Sequence, residues 1–407
     1  MAAAVAVAFA DSSIVVLALP ELYARFNTSI VGVSWVITAY NLVVAVGAFA
    51  LVPLVRRVDP RRPTIAGLAL FCGASIGCAA AWSLPALIVF RCAQGAGAAM
   101  LLAGSLSLLA ALRGSRARGI ATWIAAGTFG AAIGPALGGI LTQLFDWRAI
   151  FVFQAPVALA ALAAALRTAP QAPAGRAGRT AVAPNLGLAL LFGALVGALF
   201  LSVLLLVTVW GRSPIAGGAV LCAVPVATLA ARWLSAEVSP WAAAVAGASL
   251  LAAGLVALAL LPATSTVIVV IALALCGVGM GLAVPVLSRD AVRPDDGMVH
   301  DGTVTIGARH VGLVVALVLV APLLSTDLDR GGRDALLSGT KVLLNAPLSI
   351  RQEVSIALEM RDELQRAPRG TVPDVAKPFN DHGAGSDPNV RHTRDSLVGA
   401  IQDALTR

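Results

Sequence analysis

Residues 9–20 read FADSSIVVLALP, an aspartate and two serines inside an apolar run that begins at Ala2. Asp11 decides what kind of chain this is. If the run broke there, Asp11 would cap a short helix with Ser12 and Ser13 at a water-exposed end. If the run passes through it, Asp11 sits where a bilayer-spanning helix has its middle. Apolar residues continue on both sides as far as Pro20. Runs of about 20 such residues, the length that crosses a bilayer, then recur to about residue 325.

The composition agrees. Of 407 residues, 58% are hydrophobic and 12% are charged, where soluble domains carry about a quarter charged residues. Mean hydropathy is +0.88. An all-helical polytopic membrane protein is expected, since a soluble core would show short apolar runs separated by polar helix faces. The net charge of +8 does not point to nucleic acid. Residues 326–407 hold eleven basic and twelve acidic side chains, so the surplus lies in short loops between apolar runs. Cys72, Cys78, Cys92, Cys222 and Cys276 all fall in apolar runs without metal-ligand spacing and read as small interior residues.

Eleven spans can be marked, over about 2–20, 31–54, 64–82, 84–112, 118–142, 149–167, 186–210, 214–233, 241–262, 265–287 and 302–325. Residues 168–185, rich in Pro, Gly, Ala and Arg, read as a cytoplasmic linker. It would join an N-terminal bundle over 1–167 to a C-terminal bundle over 186–325. Alternating the loops puts thirteen arginines on one side and only Arg25, Arg148 and Arg212 on the other. The rich side is the cytoplasmic one by the positive-inside rule, which sets the N-terminus inside and the polar segment 326–407 outside. Within that segment helices are expected over about 350–366, where Ser349 and Gln352 resemble a capping box, and over 395–406. Ala8-Phe9-Ala10 has the form of a signal-peptide cleavage site, but no positive segment precedes it and the apolar run continues. With no polar leader before Ala2 and an odd span count, the chain reads as abbreviated, or as having an incomplete second bundle.

Ionisable groups inside spans mark functional sites unless they reach water. Arg91, in LIVFRCAQGAGAAMLL of span four, is the second such group. Measured from the outer ends of their spans, Asp11 and Arg91 are roughly 13 and 12 Å deep at 1.5 Å per residue, so a pair across the bundle is possible. Arg91 could instead extend toward the outer interface without pairing. In span five, GTFGAAIGPALGG sets Gly130, Gly134 and Gly138 four residues apart on one face, which allows a neighbouring backbone to approach. Pro135 removes a helical hydrogen bond there. GVGMGLAVP in span ten has the same character. Arg309 and His310 open span eleven, with His310 read as a hydrated interfacial group.

The segments DSSIVVLALP, VSWVITAYNL, RCAQGAGAA, GPALGG and DWRAIFVFQAPVAL occur in the order and spacing of the major facilitator superfamily. The chain most resembles that family's drug:proton antiporter branch, clearly over spans one to six and more weakly through span eleven. The resemblance implies two six-helix bundles related by pseudo-symmetry, here with about eleven spans visible and the last one missing. It implies proton-coupled efflux of a small lipophilic drug or metabolite by alternating access. Asp11, Arg91 and Gln94 would then couple transport to protons. Gly130, Gly134, Pro135, Gly138 and Gly139 would form the antiporter-motif helix between the bundles. The loop between spans two and three departs from the family's Gly-x-x-x-Asp-Arg-x-Gly-Arg-Arg gate pattern. It reads VPLVRRVDPRRP, with Arg56 in the aspartate's place, then Arg57, Asp59 as a displaced substitute, Arg61 and Arg62.

No phosphate-binding loop supports ATP driving, and no nucleophile elbow or metal-protease motif suggests an enzyme. The expectation is a monomer in the plasma membrane that handles a small molecule and protons, without nucleic acid, metal or cofactor. Two alternatives fit the same sequence: a facilitator or importer of this fold, and a transport-incompetent membrane protein that uses 326–407 as a binding module.

Overall fold

The computed structural model describes residues 1–173, 178, 180–234, 238–261, 265–344, 354–356, 358–359, 362, 377–381 and 387–406. Among these residues the chain is helical, and eleven helices are long and apolar enough to cross a membrane.

The first span, Ala2–Phe26, is built in three pieces: α1 (Ala2–Ile14), a tighter 3₁₀ turn at Val15–Ala18, and α2 (Leu19–Phe26). Pro20 has no N–H to give the carbonyl of Val16, four residues back. The Leu19 amide takes that carbonyl instead, a three-residue bond that tightens the turn. Pro20 then stands in the first turn of α2, where a missing amide costs nothing. The span therefore does not end at Pro20 as expected. It runs six residues further and stops at Asn27, whose left-handed φ of 44° closes the helix.

The next five spans are α3 (Ile30–Val55), α4 (Arg61–Ala79), α5 (Leu84–Arg113), α6 (Arg116–Leu144) and α7 (Arg148–Arg167). Span seven is α8 (Val182–Val203), prolonged by a wide π turn at Leu204–Val209. Span eight is α9 (Pro214–Leu221) with α10 (Ala223–Leu234), followed by α11 (Pro240–Ala259), α12 (Thr266–Ala291) and α13 (Met298–Leu344).

The last of these corrects a second expectation. The apolar part of α13 ends at Thr326, but the helix continues to Leu344 without a break. Hydropathy marks where the bilayer stops, and says nothing of where the helix does. A terminal helix at Pro388–Thr406 begins earlier than the expected residue 395 and packs along α13. The Asp387 carboxylate accepts from the Asn389 amide at 2.9 Å and so starts it, with Pro388 in its first turn. The helix expected over 350–366 lies mostly outside the described residues.

Packing follows a six-span repeat. In the first half α4 lies against α5, α1 against α6, and α3 against α5. In the second half α11 lies against α12, α8 against α13, and α10 against α12. Each pairing recurs six spans later, which is the relation expected of two pseudo-symmetric bundles. The junction obeys the same rule: α3 meets α13, and α6 meets α9 and α10. The first span is the most interior, with 78% of its apolar window buried. Asp11 thus sits on the element most enclosed by protein.

Candidate functional site

Alpha-helix α1 is seated by the glycine face of α6. A methyl group at Gly130 would collide with the carbonyl of Ala6, at Gly134 with the hydroxyl of Ser13, and at Gly138 with the carbonyl of Ile14. The repeat Gly130, Gly134, Gly138 therefore admits the backbone of the first span, inside its own bundle. Gly139 differs, because a methyl there would meet the carbonyl of Pro214 in α9, across the junction. Pro135 leaves the carbonyl of Ala131 without its helical amide. The hydroxyl of Ser13 lies 2.9 Å from that carbonyl, and 3.0 Å from its own helix's Ala10 carbonyl. The bend in α6 is thus satisfied by a side chain of α1.

Seated this way, Asp11 lies within α1, fully enclosed, and does not cap a water-exposed end. Arg91 reaches it: Nη1 is 2.5 Å from Oδ2 of Asp11, and both side chains are 0% exposed. The same Nη1 donates to Oε1 of Gln94 at 2.6 Å. Gln94 Nε2 donates to Oε1 of Gln154 at 2.7 Å, and Gln154 Nε2 donates to Oδ1 of Asp11 at 2.8 Å. These four side chains close a ring that joins α1, α5 and α7. Two further bonds anchor it, from Gln94 Nε2 to Ser75 Oγ on α4 at 2.8 Å, and from Arg91 Nε to the Val36 carbonyl on α3 at 2.8 Å. Arg91 Nη2 finds no hydrogen-bond acceptor, and the guanidinium lies 4.4 Å above the Tyr40 ring, where the π face stabilises positive charge. Tyr40 is itself fixed by donating to the Ala8 carbonyl at 2.7 Å. Beside the ring, Ser12 donates to Oδ1 of Asn41 at 2.7 Å.

A buried ion pair gains little net stability over an apolar pair, because both charges lose their water. What this ring supplies is a carboxylate on the innermost span whose charge state is felt on four other helices.

The opposite face of α1 looks to the second bundle. Two residues along a helix is about 200° of rotation, so Phe9 points away from Asp11's side. Phe9 packs edge-on against Trp123 of α6 at 5.5 Å and stacks near His310 of α13 at 6.0 Å. Phe9, Phe192 and Arg309 line two cavities of about 20 Å³ each at the junction, the first together with Trp123 and the second with Leu195 and His310. Each has room for a water molecule and not for a drug-sized one. His310 is buried, its Nδ1 2.8 Å from the Ile306 carbonyl, and the interfacial reading of it is corrected. Helix α13 begins several residues earlier than expected, which carries His310 deeper.

The loop between α3 and α4 docks on its own bundle. Arg61 donates to the Ala165 and Leu166 carbonyls at the end of α7, and Asp59 accepts from the amides of Arg61 and Gln171. Arg56 is half-buried, while Arg57 and Arg62 are exposed. An ion pair that crosses between halves lies elsewhere: Arg116 at the start of α6 is 2.7 Å from Asp296, just before α13.

Sequence reasoning brought Asp11, Arg91 and Gln94 to the site. It missed Gln154, Ser75 and Tyr40, and placed no role on Arg309.

Residues 1–293 match a family model described as Major Facilitator Superfamily. The chain is similar to the methylenomycin A resistance protein of Bacillus subtilis (strain 168), 36% identical over 179 residues, 43% of this chain and 38% of that one. It is also similar to the multidrug resistance protein Stp of Mycobacterium tuberculosis, 36% identical over 152 residues, 37% and 28% of the two chains. A third relative, the tetracenomycin C resistance and export protein of Streptomyces glaucescens, is 34% identical over 169 residues, 41% and 31% of the two chains. The matches therefore span about a third of the length of these relatives. Among solved structures, a bacterial homologue of the human lysosomal transporter Spinster, inward-facing and occupied, superposes with a TM-score of 0.63 at 17% identity. That superposition covers 100% of this chain and 91% of the other. A D-xylose-proton symporter superposes with a TM-score of 0.57 at 13% identity, over 79% and 88% of the two chains.

Proposed function

The chain belongs to the major facilitator superfamily, and from that premise we propose that it exports a small lipophilic molecule across the plasma membrane in exchange for protons. The observation that carries this reading is the buried ring around Asp11. A proton taken by Asp11 cancels its attraction for Arg91 and removes an acceptor from Gln154. The first span is then freed on one face from α5 and α7. Its other face carries Phe9 against the second bundle, so loosening one face lets the span shift at the junction that alternating access must open. The N-terminus faces the cytoplasm in this scheme, and the Arg116–Asp296 pair closes the cytoplasmic side. The curated relatives, named for resistance to or export of antibiotics, support efflux over import.

The test uses inverted membrane vesicles with an acidified lumen, acridine orange as the pH dye, and a panel of lipophilic antibiotics that includes methylenomycin A and tetracenomycin C. Export in exchange for protons predicts that at least one compound releases protons from the lumen in vesicles carrying the protein, and in none lacking it. A panel transported without any proton release would point to a facilitator.

A further inference from the structure

Arg309 is the charged residue in the wall of both junction cavities, and no aspartate or glutamate among the described residues lines either one. Its guanidinium carbon lies over two rings, 4.2 Å from the Phe9 centroid and 3.5 Å from the Phe192 centroid. It forms no ion pair with the described residues, and the buried carboxylate of Asp11 is taken by Arg91. Both aromatic faces stabilise the cation. The guanidinium carries five N–H donors, and it belongs to the wall of both cavities. Arg309 is eleven residues into α13, about 16 Å along the helix, close to the bilayer midplane.

The three residues come from three different spans. Phe9 is on the first, Phe192 on α8 and Arg309 on α13, so the cluster bridges the two bundles at the point where they must part. No carboxylate among the described residues lines the cavity walls to balance Arg309. A fork of donors placed over aromatic rings fits a carboxylate or another planar oxyanion, and the rings fit an aromatic body attached to it.

We propose that Arg309, Phe9 and Phe192 form the substrate subsite, and that it takes an aromatic anion in preference to neutral or cationic molecules of the same shape. This rests on the junction being the transport route, and it names the class of molecule that route carries. A cation entering the site would face an unpaired guanidinium in a low-dielectric interior. A neutral amide would recover part of the hydrogen bonding and none of the charge compensation.

The test is binding to the full-length chain in nanodiscs of neutral lipid at pH 7.5, by equilibrium dialysis against empty nanodiscs. Three isosteric probes are compared: 2-naphthoate, 2-naphthamide and 2-naphthylmethylammonium. The wild-type protein is expected to bind the naphthoate at least tenfold more tightly than the naphthamide, and the ammonium least. Arg309→Gln is expected to abolish that order, and Arg309→Lys to keep the preference for the anion with weaker binding. Equal binding of the three probes by the wild-type protein overturns the proposal, as does binding of none of them. So does an anion preference that survives in folded Arg309→Gln protein. Because the wild-type comparison needs no variant, a folding defect cannot hide the answer. The proton-release assay is independent of it, so a failure here leaves proton exchange standing.

Discussion

Gln154 on α7 holds Asp11 on α1 through one hydrogen bond of 2.8 Å, and with the other end of its amide it holds Gln94 at 2.7 Å. One neutral side chain thereby spans the carboxylate and the glutamine that shares Arg91. Gln154→Leu leaves Oδ1 of Asp11 and one N–H of Gln94 without partners in a dry interior. Each buried unpaired group costs about 1–3 kcal/mol, so a clearly lowered Tm is expected in detergent, with proton-coupled flux reduced. Thermal unfolding followed by tryptophan fluorescence checks the first effect. An unchanged Tm together with unchanged flux would show that the amide bridge is dispensable.

The glycines of α6 divide into two roles that one pair of variants separates. At Gly130 a methyl group meets the Ala6 backbone of the same bundle, and at Gly139 it meets the Pro214 carbonyl across the junction. Gly130→Ala is therefore expected to lower stability by about 1–3 kcal/mol, as in other overpacked cores. Gly139→Ala is expected to keep the fold and shift the balance toward conformations in which α6 and α9 are apart. Cysteine pairs placed across that junction would report the shift through a lower cross-linking yield. Equal Tm values for the two variants would contradict the division.

Ser13 completes the backbone of a helix that is not its own. Ser13→Ala removes the donor 2.9 Å from the Ala131 carbonyl that Pro135 leaves open, at a cost of about 1 kcal/mol. Restoring the missing amide with Pro135→Ala should offset that loss, so the double variant is expected to be more stable than Ser13→Ala alone. A thermal-shift comparison of the three proteins decides it.

The Arg116–Asp296 pair is about half exposed on both sides, 51% and 49%, and exposed pairs contribute about 1 kcal/mol or less. Arg116→Glu should thus leave Tm nearly unchanged while opening the cytoplasmic side more often. Solvent labelling of a cysteine at Thr128, which lines a junction cavity, is expected to rise in this variant. Arg116→Glu with Asp296→Arg should bring labelling back to the wild-type rate.

The membrane fold was readable because hydropathy and loop charge are long-range averages that no single residue can spoil. Asp11 and Arg91 were readable because a charge in a 20-residue apolar run has few explanations. Their expected depths were counted from Pro20, which proved to be a turn inside the span, yet the pair still formed. Gln154 carries no charge and escaped notice, although a signal was present. It stands six residues from the start of α7 and Arg91 seven from the start of α5, and both helices begin on the same side. The face each glycine presents was not readable, since spacing gives a common face without naming the helix it meets. His310 looked interfacial because the start of α13 was set too late, and the two aromatic neighbours of Arg309 lie about 120 and 300 residues away in sequence. The continuation of α13 past Thr326 had no hydropathy signal at all.

The central claim is that the charge on Asp11 couples protons to movement, and the most direct measurement is of Asp11→Asn. The asparagine keeps the size of the side chain and can still accept from Gln154, but it neither ionises nor pairs with Arg91. In vesicles, uptake of a compound that the wild-type protein moves is followed with and without an imposed proton gradient. The variant is expected to lose the acceleration by the gradient and the associated proton release, while downhill exchange of the compound continues. Gradient-driven uptake at the wild-type rate in Asp11→Asn would contradict it.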